Sequence, residues 1–309
     1  MHKLYYSFPE FIGQYFKGKI QKISLDAGFS CPNRDGSLGR GGCSYCNNLS
    51  FNPSYSSTKR SISEQLAEGK EFFAHKYPKM DYLAYFQSYT NTYDKLDRLI
   101  DLYEEALRFP GVKGLVIATR PDCLPDDLLD YLEQLAKRCF LLVELGLEST
   151  LDRTLKEVGR GHDYACSVNA LNKIAQRRIL CGAHIILGLP GESKEDMLAH
   201  AGRLNTLPLT TLKLHQLQLI RGTRLEEQVR NNPAYVHFFD AGSYARLLID
   251  FIERLRPGLV LDRFVSQAPA EWLIGPDWGL KNYEFTHQLE KMMRAGGHYQ
   301  GRLYSGSNN

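Results

Sequence analysis

A chain of 309 residues that is 43% hydrophobic and 24% charged has the composition of an ordinary folded globule, long enough for one large core or two smaller ones. It contains no run of about 18 apolar residues, which excludes a membrane-spanning helix, and its opening, MHKLYYSFPE, lacks the apolar core of a secretory leader, so the expected location is the cytoplasm. The net charge is only +3, yet residues 1–60 hold eight Lys/Arg against Glu10, Asp26 and Asp35, an excess that suits either an anionic ligand or a solvated surface.

Residues 1–18 carry Tyr5, Tyr6, Phe8, Tyr15 and Phe16 and read as a segment packed over the body. Residues 19–25 form the first strand pattern, with Ile20, Ile23 and Leu25 apolar. A Cys- and Gly-rich stretch follows, and then residues 61–77 show helical spacing through Ile62, Leu66 and Phe73. From there strands and helices alternate. Strand patterns fall at residues 82–86, 114–118, 140–146, 182–188 and 212–219, as the nearly continuous apolar runs of strands buried on both faces. Between them lie amphipathic stripes such as Leu96, Leu99, Tyr103 and Leu107, or Leu128, Leu129, Leu132 and Leu135, which are core faces.

Six strands, each followed by a helix, imply a parallel sheet. Six units are too few to close an eight-stranded barrel, so the expected fold is α/β: a partial (β/α)6 TIM-type barrel with a C-terminal extension. The boundaries that follow are an N-terminal segment 1–18, a core 19–232 and an extension 233–309. The extension holds helical patterns at 241–255 and 285–294, a short strand pattern at 258–265, and a frayed tail, SGSNN.

The chemistry gathers in the loop after the first strand. Cys31, Cys43 and Cys46 put three of the seven cysteines within 16 residues, and Gly36, Gly39, Gly41 and Gly42 let the backbone fold back on itself. Thiolates packed that closely repel one another unless a positive centre holds them. Two centres satisfy this: a tetrahedral zinc with a fourth ligand, or an iron–sulfur cube held by three thiolates with one iron left open. Cys123, Cys139, Cys166 and Cys181 have no metal-ligand spacing and read as small core residues.

Polar motifs stand where the other strands end. They are Gln87-Ser88-Tyr89-Thr90, Thr119-Arg120-Pro121-Asp122, Glu144-Leu145-Gly146-Leu147-Glu148, Gly159-Arg160-Gly161-His162 and His184-Ile185-Ile186-Leu187-Gly188-Leu189-Pro190-Gly191-Glu192. Singly, each has a structural explanation. Thr-Arg-Pro-Asp and Gly-Leu-Pro-Gly-Glu are turn chemistry, Ser193 with Asp196 is a helix capping box, Glu144 is a partner for Arg120, and His184 is a hydrogen-bonded core histidine. Alternation along the strand turns Glu144 and Glu148 to one side.

Together, the cysteine loop, the βα units, Glu-Leu-Gly-Leu-Glu-Ser and Ile-Ile-Leu-Gly-Leu-Pro-Gly-Glu resemble a radical S-adenosylmethionine (SAM) enzyme. Within that superfamily the chain is similar to the branch of HemN-like coproporphyrinogen dehydrogenases and the elongator catalytic subunit, and most to the YhcC/YtqA type. The resemblance covers residues 19–282 and is most specific at Gly28 to Gly36, at Thr119 to Cys123 and at Gly161-His162. It implies a [4Fe–4S] cluster on Cys31, Cys43 and Cys46, with SAM on the open iron. It implies Gln87, Ser88 and Thr90 near the SAM amine, Arg160 at its carboxylate, Glu148 near the ribose, and His184, Ile186 and Leu187 along the adenine. The strand-three carboxylate of HemN-like enzymes is replaced by Ala118 and Thr119, and Glu144 stands as its substitute, its role exchangeable with that of Glu148. The implied activity is reductive cleavage of SAM to a 5′-deoxyadenosyl radical, fed by a one-electron donor of the flavodoxin or ferredoxin type. The implied substrate is tRNA, whose wobble uridine would pass from a carboxymethylaminomethyl to an aminomethyl form. Radical chemistry on a small molecule and a non-catalytic, zinc-bound nucleic-acid-binding protein are the alternatives.

Overall fold

The computed structural model describes residues 3–47, 50, 53–74 and 79–306. In chain order the strands are β1 (Ile20–Leu25), β2 (Asp81–Phe86), β3 (Val112–Thr119), β4 (Phe140–Glu148), β5 (Leu180–Leu187), β6 (Thr211–Gln216), β7 (Leu219–Ile220), β8 (Val260–Arg263) and β9 (Leu273–Gly275). The helices begin with α1 (Phe8–Ile12), α2 (Pro32–Asp35), α3 (Ile62–Ala74), α4 (Leu96–Arg108), α5 (Asp126–Ala136) and α6 (Asp152–Glu157). They continue with α7 (Tyr164–Gln176), α8 (Lys194–Asn205), α9 (Arg224–Asn231), α10 (Ala241–Ile252) and α11 (Asn282–Gly296).

Seven strands build one parallel sheet in the order β1-β2-β3-β4-β5-β6-β8. The six βα units are therefore present, and the strand pattern in the extension supplies a seventh member, β8, beside β6. The curled sheet is a half-barrel whose two edges, β1 and β8, do not pair with each other. The 212–219 run divides into β6 and β7, and β7 leaves the sheet to pair antiparallel with β9. Of the 61–77 helix, residues 75–77 lie outside the described residues, as do residues 307–309 of the tail. The capping box at α8 is present, with Ser193 and Asp196 exchanging side-chain-to-backbone bonds.

Alternation along the strands sorts the side chains into two sets. Outward-facing Ile23, Leu25, Ala84, Phe86, Leu115, Ile117, Val143 and Leu145 meet the helices in the main core. The inward set forms layers. At the base, Leu83, Val116, Ala118, Phe140, Leu142 and Val260 pack against Phe8, Phe11 and Ile12 of α1. The N-terminal segment thus packs over the body at the barrel's base, as a stopper, and Tyr6 O accepts from Leu261 N of the edge strand β8 at 2.8 Å.

Above this apolar plug lies an ionic layer. Lys213 Nζ is 2.6 Å from Glu144 Oε2, 3.0 Å from the Tyr85 hydroxyl and 3.6 Å from Asp262 Oδ2. Lys22 Nζ is 2.6 Å from Asp262 and 3.5 Å from Glu144, so a β1 side chain reaches β8 across the open seam. Against the upward push of burial, Lys213 and Lys22 hold the Glu144 carboxyl well below the usual carboxylate range. Two lysines against two carboxylates leave this floor electrically balanced.

Candidate active site

Above the ionic floor, at the C-terminal ends of the strands, a cavity of about 210 Å³ opens. This is the end where barrel enzymes gather their loops. Cys31, Cys43 and Cys46 all border it. Cys31 is the N-cap of α2, a single turn closed by Gly36 at φ 97°, and Gly41 and Gly42 also take positive φ whereas Gly39 does not. The loop is pinned from outside itself. Asn33 Nδ2 lies 3.5 Å from Cys43 Sγ and donates to the carbonyls of Gly159 (2.7 Å) and Arg160 (2.9 Å). A Cβ on Gly161 would sit 2.5 Å from Asn33 Oδ1, so only glycine lets the two loops close this tightly. That contact gives the Cys-Pro-Asn and Gly-His motifs a common physical reason.

Guanidinium groups surround the thiols. Arg160 Nη1 is 3.6 Å from Cys43 Sγ, and its Nη2 donates to Gly146 O. Arg34 donates to Cys46 O, and Arg120, paired with Asp122 at 2.7 Å, donates to Arg160 O at 2.9 Å. Glu144 and Arg120 therefore do not pair; each has a nearer counter-ion on its own side of the barrel. Burial pushes the Cys46 thiol up to about 11, and neighbouring Cys43 pushes the same way. Such a thiol ionises only if a cation takes its charge.

The remaining expected residues fall into two groups. Gln87, Thr90, Glu148, Arg160, His184 and Ile186 border the cavity. Ser88, Glu144 and Leu187 do not border it. Ser88 is buried behind its neighbours. Leu187 alternates away from Ile186 into the helix-facing core. Glu144 lies within the ionic floor, its carboxylate taken up by Lys213, Lys22 and His184, the last at 3.1 Å. Of the two carboxylates on β4, Glu148 is the one at the cavity. It gets there through a register shift between Gly146 and Glu148 and a left-handed backbone, φ 69°, which leaves its Oε1 3.8 Å from Arg160 Nη2. Tyr89, also on the cavity wall, is left-handed too, at φ 63°.

Sequence reasoning gave no role to Tyr45, Tyr85, Lys213, His215, Gln216, Gln218 or Arg263, all of which border the cavity. The signal was present for β6 alone: Lys213 and His215 alternate with Leu212 and Leu214, as inward-facing polar residues of a buried strand do. Burial and the adjacent His184 hold the His215 imidazole far below its usual range, so it is neutral, and it hydrogen-bonds Ser266 Oγ at 2.9 Å. The other four cysteines lie away from the cavity, and burial raises the Cys123 thiol to about 12 and those of Cys139 and Cys181 to about 11.

Residues 36–204 match the family model of the radical SAM superfamily, and residues 209–295 match that of the radical SAM C-terminal domain. The chain belongs to the radical SAM superfamily. It is 34% identical to YtqA of Bacillus subtilis over 98% of this chain and 93% of that protein. To YhcC of Escherichia coli it is 32% identical, over 96% and 94%. A shorter stretch, 33% of this chain and 24% of the relative, is 30% identical to the tRNA-2-methylthio-N(6)-dimethylallyladenosine synthase of Rickettsia canadensis. Among solved structures, the fold resembles the archaeal Elp3 of Methanocaldococcus infernus, with a TM-score of 0.69 at 16% identity, over 92% of this chain and 64% of that one. Radical SAM proteins use a [4Fe–4S] cluster and SAM, so the chain is a SAM-cleaving enzyme, and the non-catalytic zinc alternative is set aside.

The donor set suits such a cluster. Among the described residues, no three His, Cys, Asp or Glu side chains form a group fit for a single metal ion. The three thiols border one cavity, and buried cations face the charge a cluster there would carry. Arg160 Nε and Arg120 Nη1 are buried without a hydrogen-bond partner, which leaves donors available to an anionic ligand. No helix among the described residues is long and apolar enough to cross a membrane.

Proposed function

We propose that Cys31, Cys43 and Cys46 hold the [4Fe–4S] cluster and that the enzyme acts on tRNA, converting a carboxymethylaminomethyl wobble uridine to its aminomethyl form. When bound, the cluster and SAM supply a 5′-deoxyadenosyl radical able to abstract hydrogen from an unreactive carbon. The chain's own residues position and enclose. Arg160 presents its guanidinium to the SAM carboxylate, a planar fork against a planar oxyanion. Glu148, turned inward by its left-handed backbone, accepts from ribose hydroxyls. Gln87 and Thr90 face the amine, and Ile186 beside His184 offers an edge for the purine. Ser88 and Leu187 support this wall from behind.

The observation that carries the substrate assignment is where the positive charge gathers. The N-terminal excess does not form one face: Lys3 pairs with Glu10, Lys17 and Lys19 precede β1 at the opposite end of the sheet, and Lys22 lies inside. Cations nevertheless border the cavity, contributed by separate elements: Arg34, Arg120, Arg160, Lys213 and Arg263, the last of them exposed. A ring of this kind suits a phosphate backbone, and a wobble base is already unpaired and can be splayed into a pocket. The relationship to a tRNA-modifying synthase supports the same substrate class. The experiment is mass spectrometry of nucleosides from tRNA incubated anaerobically with enzyme, SAM and dithionite. The expected result is loss of the carboxymethylaminomethyl nucleoside with gain of the aminomethyl one. An unchanged uridine profile, with SAM still cleaved, would move the reading to a small-molecule substrate.

A further inference from the structure

The cavity that borders the thiols is not closed on the seam side. It meets a second, larger hollow of about 860 Å³ that occupies the gap between the sheet edges β1 and β8 and is walled by residues 265–282. The two share a waist formed by Tyr85, Gln87, Lys213, Gln216, Gln218 and Arg263. Most polar groups at this waist are already committed. Lys213 is taken by Glu144 and Asp262, and Gln87 Oε1 accepts from Ser24 Oγ at 2.9 Å. Gln216 exchanges two bonds with the Ser266 backbone, at 2.7 and 2.8 Å, and the phenol of Tyr85 meets Lys213.

Arg263 is different. It ends β8, is exposed, borders both hollows, and among the described residues makes no hydrogen bond or ion pair. Its neighbour Asp262 is drawn inward to Lys22, while the Arg263 guanidinium borders the waist with no carboxylate partner among the described residues. Gln218 beside it is buried and bridges both hollows. On the outer side, Tyr55, Phe72 and Trp278 offer aromatic surface.

We propose that Arg263 is the seat for the substrate's oxyanion, holding it at the waist while the carbon to be attacked reaches into the thiol-bordered cavity. A guanidinium fork binds carboxylate or phosphate through two parallel bonds, and the aromatic wall suits a flat base attached to that anion. This deepens the proposed function and rests on it for the identity of the base. Under that reading the oxyanion is the carboxylate of the carboxymethylaminomethyl arm or a phosphate of the tRNA backbone.

The test is equilibrium binding by calorimetry to the full-length, cluster-reconstituted enzyme. Its probes are 5-carboxymethylaminomethyluridine, 5-aminomethyluridine, uridine and uridine 5′-monophosphate, each against the parent protein, Arg263→Gln and Arg263→Lys. The parent should prefer the carboxylated nucleoside over the aminomethyl one by about tenfold or more, the range of one charge-assisted contact. Arg263→Gln should reduce that ratio to near one, and Arg263→Lys should retain part of it. If the preference is instead for uridine 5′-monophosphate over uridine, and Arg263→Gln abolishes it, the seat stands with phosphate as its ligand. Absence of any anion preference in the parent, or its survival in Arg263→Gln, would overturn the proposal. Each ratio is internal to one protein, so a folding defect cannot mimic the result. Because binding needs no turnover, an intact anion preference beside an unchanged tRNA profile would discard the proposed reaction and keep the seat.

Discussion

Replacement of Glu144 by alanine tests the ionic floor directly. Glu144 is 1% exposed and sits 2.6 Å from Lys213 and 3.5 Å from Lys22, whose side chains are 5% and 17% exposed. Removing it leaves two largely buried ammonium groups to share Asp262. Breaking a buried pair in this way costs about 3–5 kcal/mol, because the surviving charge keeps its desolvation penalty and loses its attraction. For a chain of 309 residues the unfolding entropy is about 0.65 kcal/mol/K, so the midpoint should fall by about 5–8 °C. The double variant Glu144→Leu/Lys213→Met replaces the pair by apolar groups of similar volume and should return to within about 1 kcal/mol of the parent. Anaerobic urea unfolding of the parent, Glu144→Leu, Lys213→Met and the double variant, followed by circular dichroism, would measure all four corners of the cycle. A double variant that loses the sum of the two single losses would show the groups to be uncoupled, and the layer would then not be a unit.

Cys31→Ala, Cys43→Ala and Cys46→Ala should each lose the brown colour and the roughly four irons per chain that one cube supplies; a colourless protein that retains stoichiometric zinc would defeat the cluster assignment. A Cβ at position 146 would stand 2.4 Å from Glu148 Oε1 and 2.8 Å from Arg160 Nη2. Gly146→Ala should therefore displace both and weaken SAM binding by about tenfold or more, equivalent to about 1.4 kcal/mol, as read by equilibrium dialysis; unaltered affinity would remove both side chains from the cofactor site. Burial and Arg160 lower the pKa of His162 from 6.5 to about 4. The unfolded chain therefore takes up the proton first, and stability should fall as pH drops from 6.5 towards 4, with no contribution from this group above 6.5. His162→Gln should flatten that stretch of a stability–pH profile, and an unchanged slope would contradict the depressed value. A Cβ at position 114 would meet Phe140 O at 2.1 Å, between two central strands. Gly114→Ala should cost about 1–3 kcal/mol in urea unfolding, and a neutral result would mean that β3 and β4 have room to separate.

Much of this architecture is legible in the sequence because periodicity reports local burial. The runs at 114–118 and 140–146 are apolar on every residue but one or two because helices cover one face and the barrel interior the other. The thiol trio is legible because its spacing is short. What stays hidden is whatever depends on distant partners. β8 is only four residues long, Val-Leu-Asp-Arg, and nothing local says that Asp262 is inside. It is inside because Lys22 waits there, 240 residues earlier. Glu144 reads as a cofactor ligand until the two lysines beneath it are seen. Glu148 is carried to the cavity by a left-handed φ that no pattern announces in a residue with a side chain. The cations on the cavity wall come from positions scattered between residues 34 and 263, so charge counted along the chain misplaces them.

The stopper at the barrel base also joins distant parts of the chain. Leu4 O accepts from Gln300 N, and the Gln300 side chain accepts from Tyr6 N while donating to Arg256 O and Leu259 O. Residues 4–6 are therefore fastened by a residue nearly 300 positions away in the chain. Without residue 300 the plug at the barrel base loses the clasp that ties it to the loop after α10. A version lacking residues 3–12 or residue 300 onward should therefore hold its barrel base loosely and accept iron poorly even with every thiol in place.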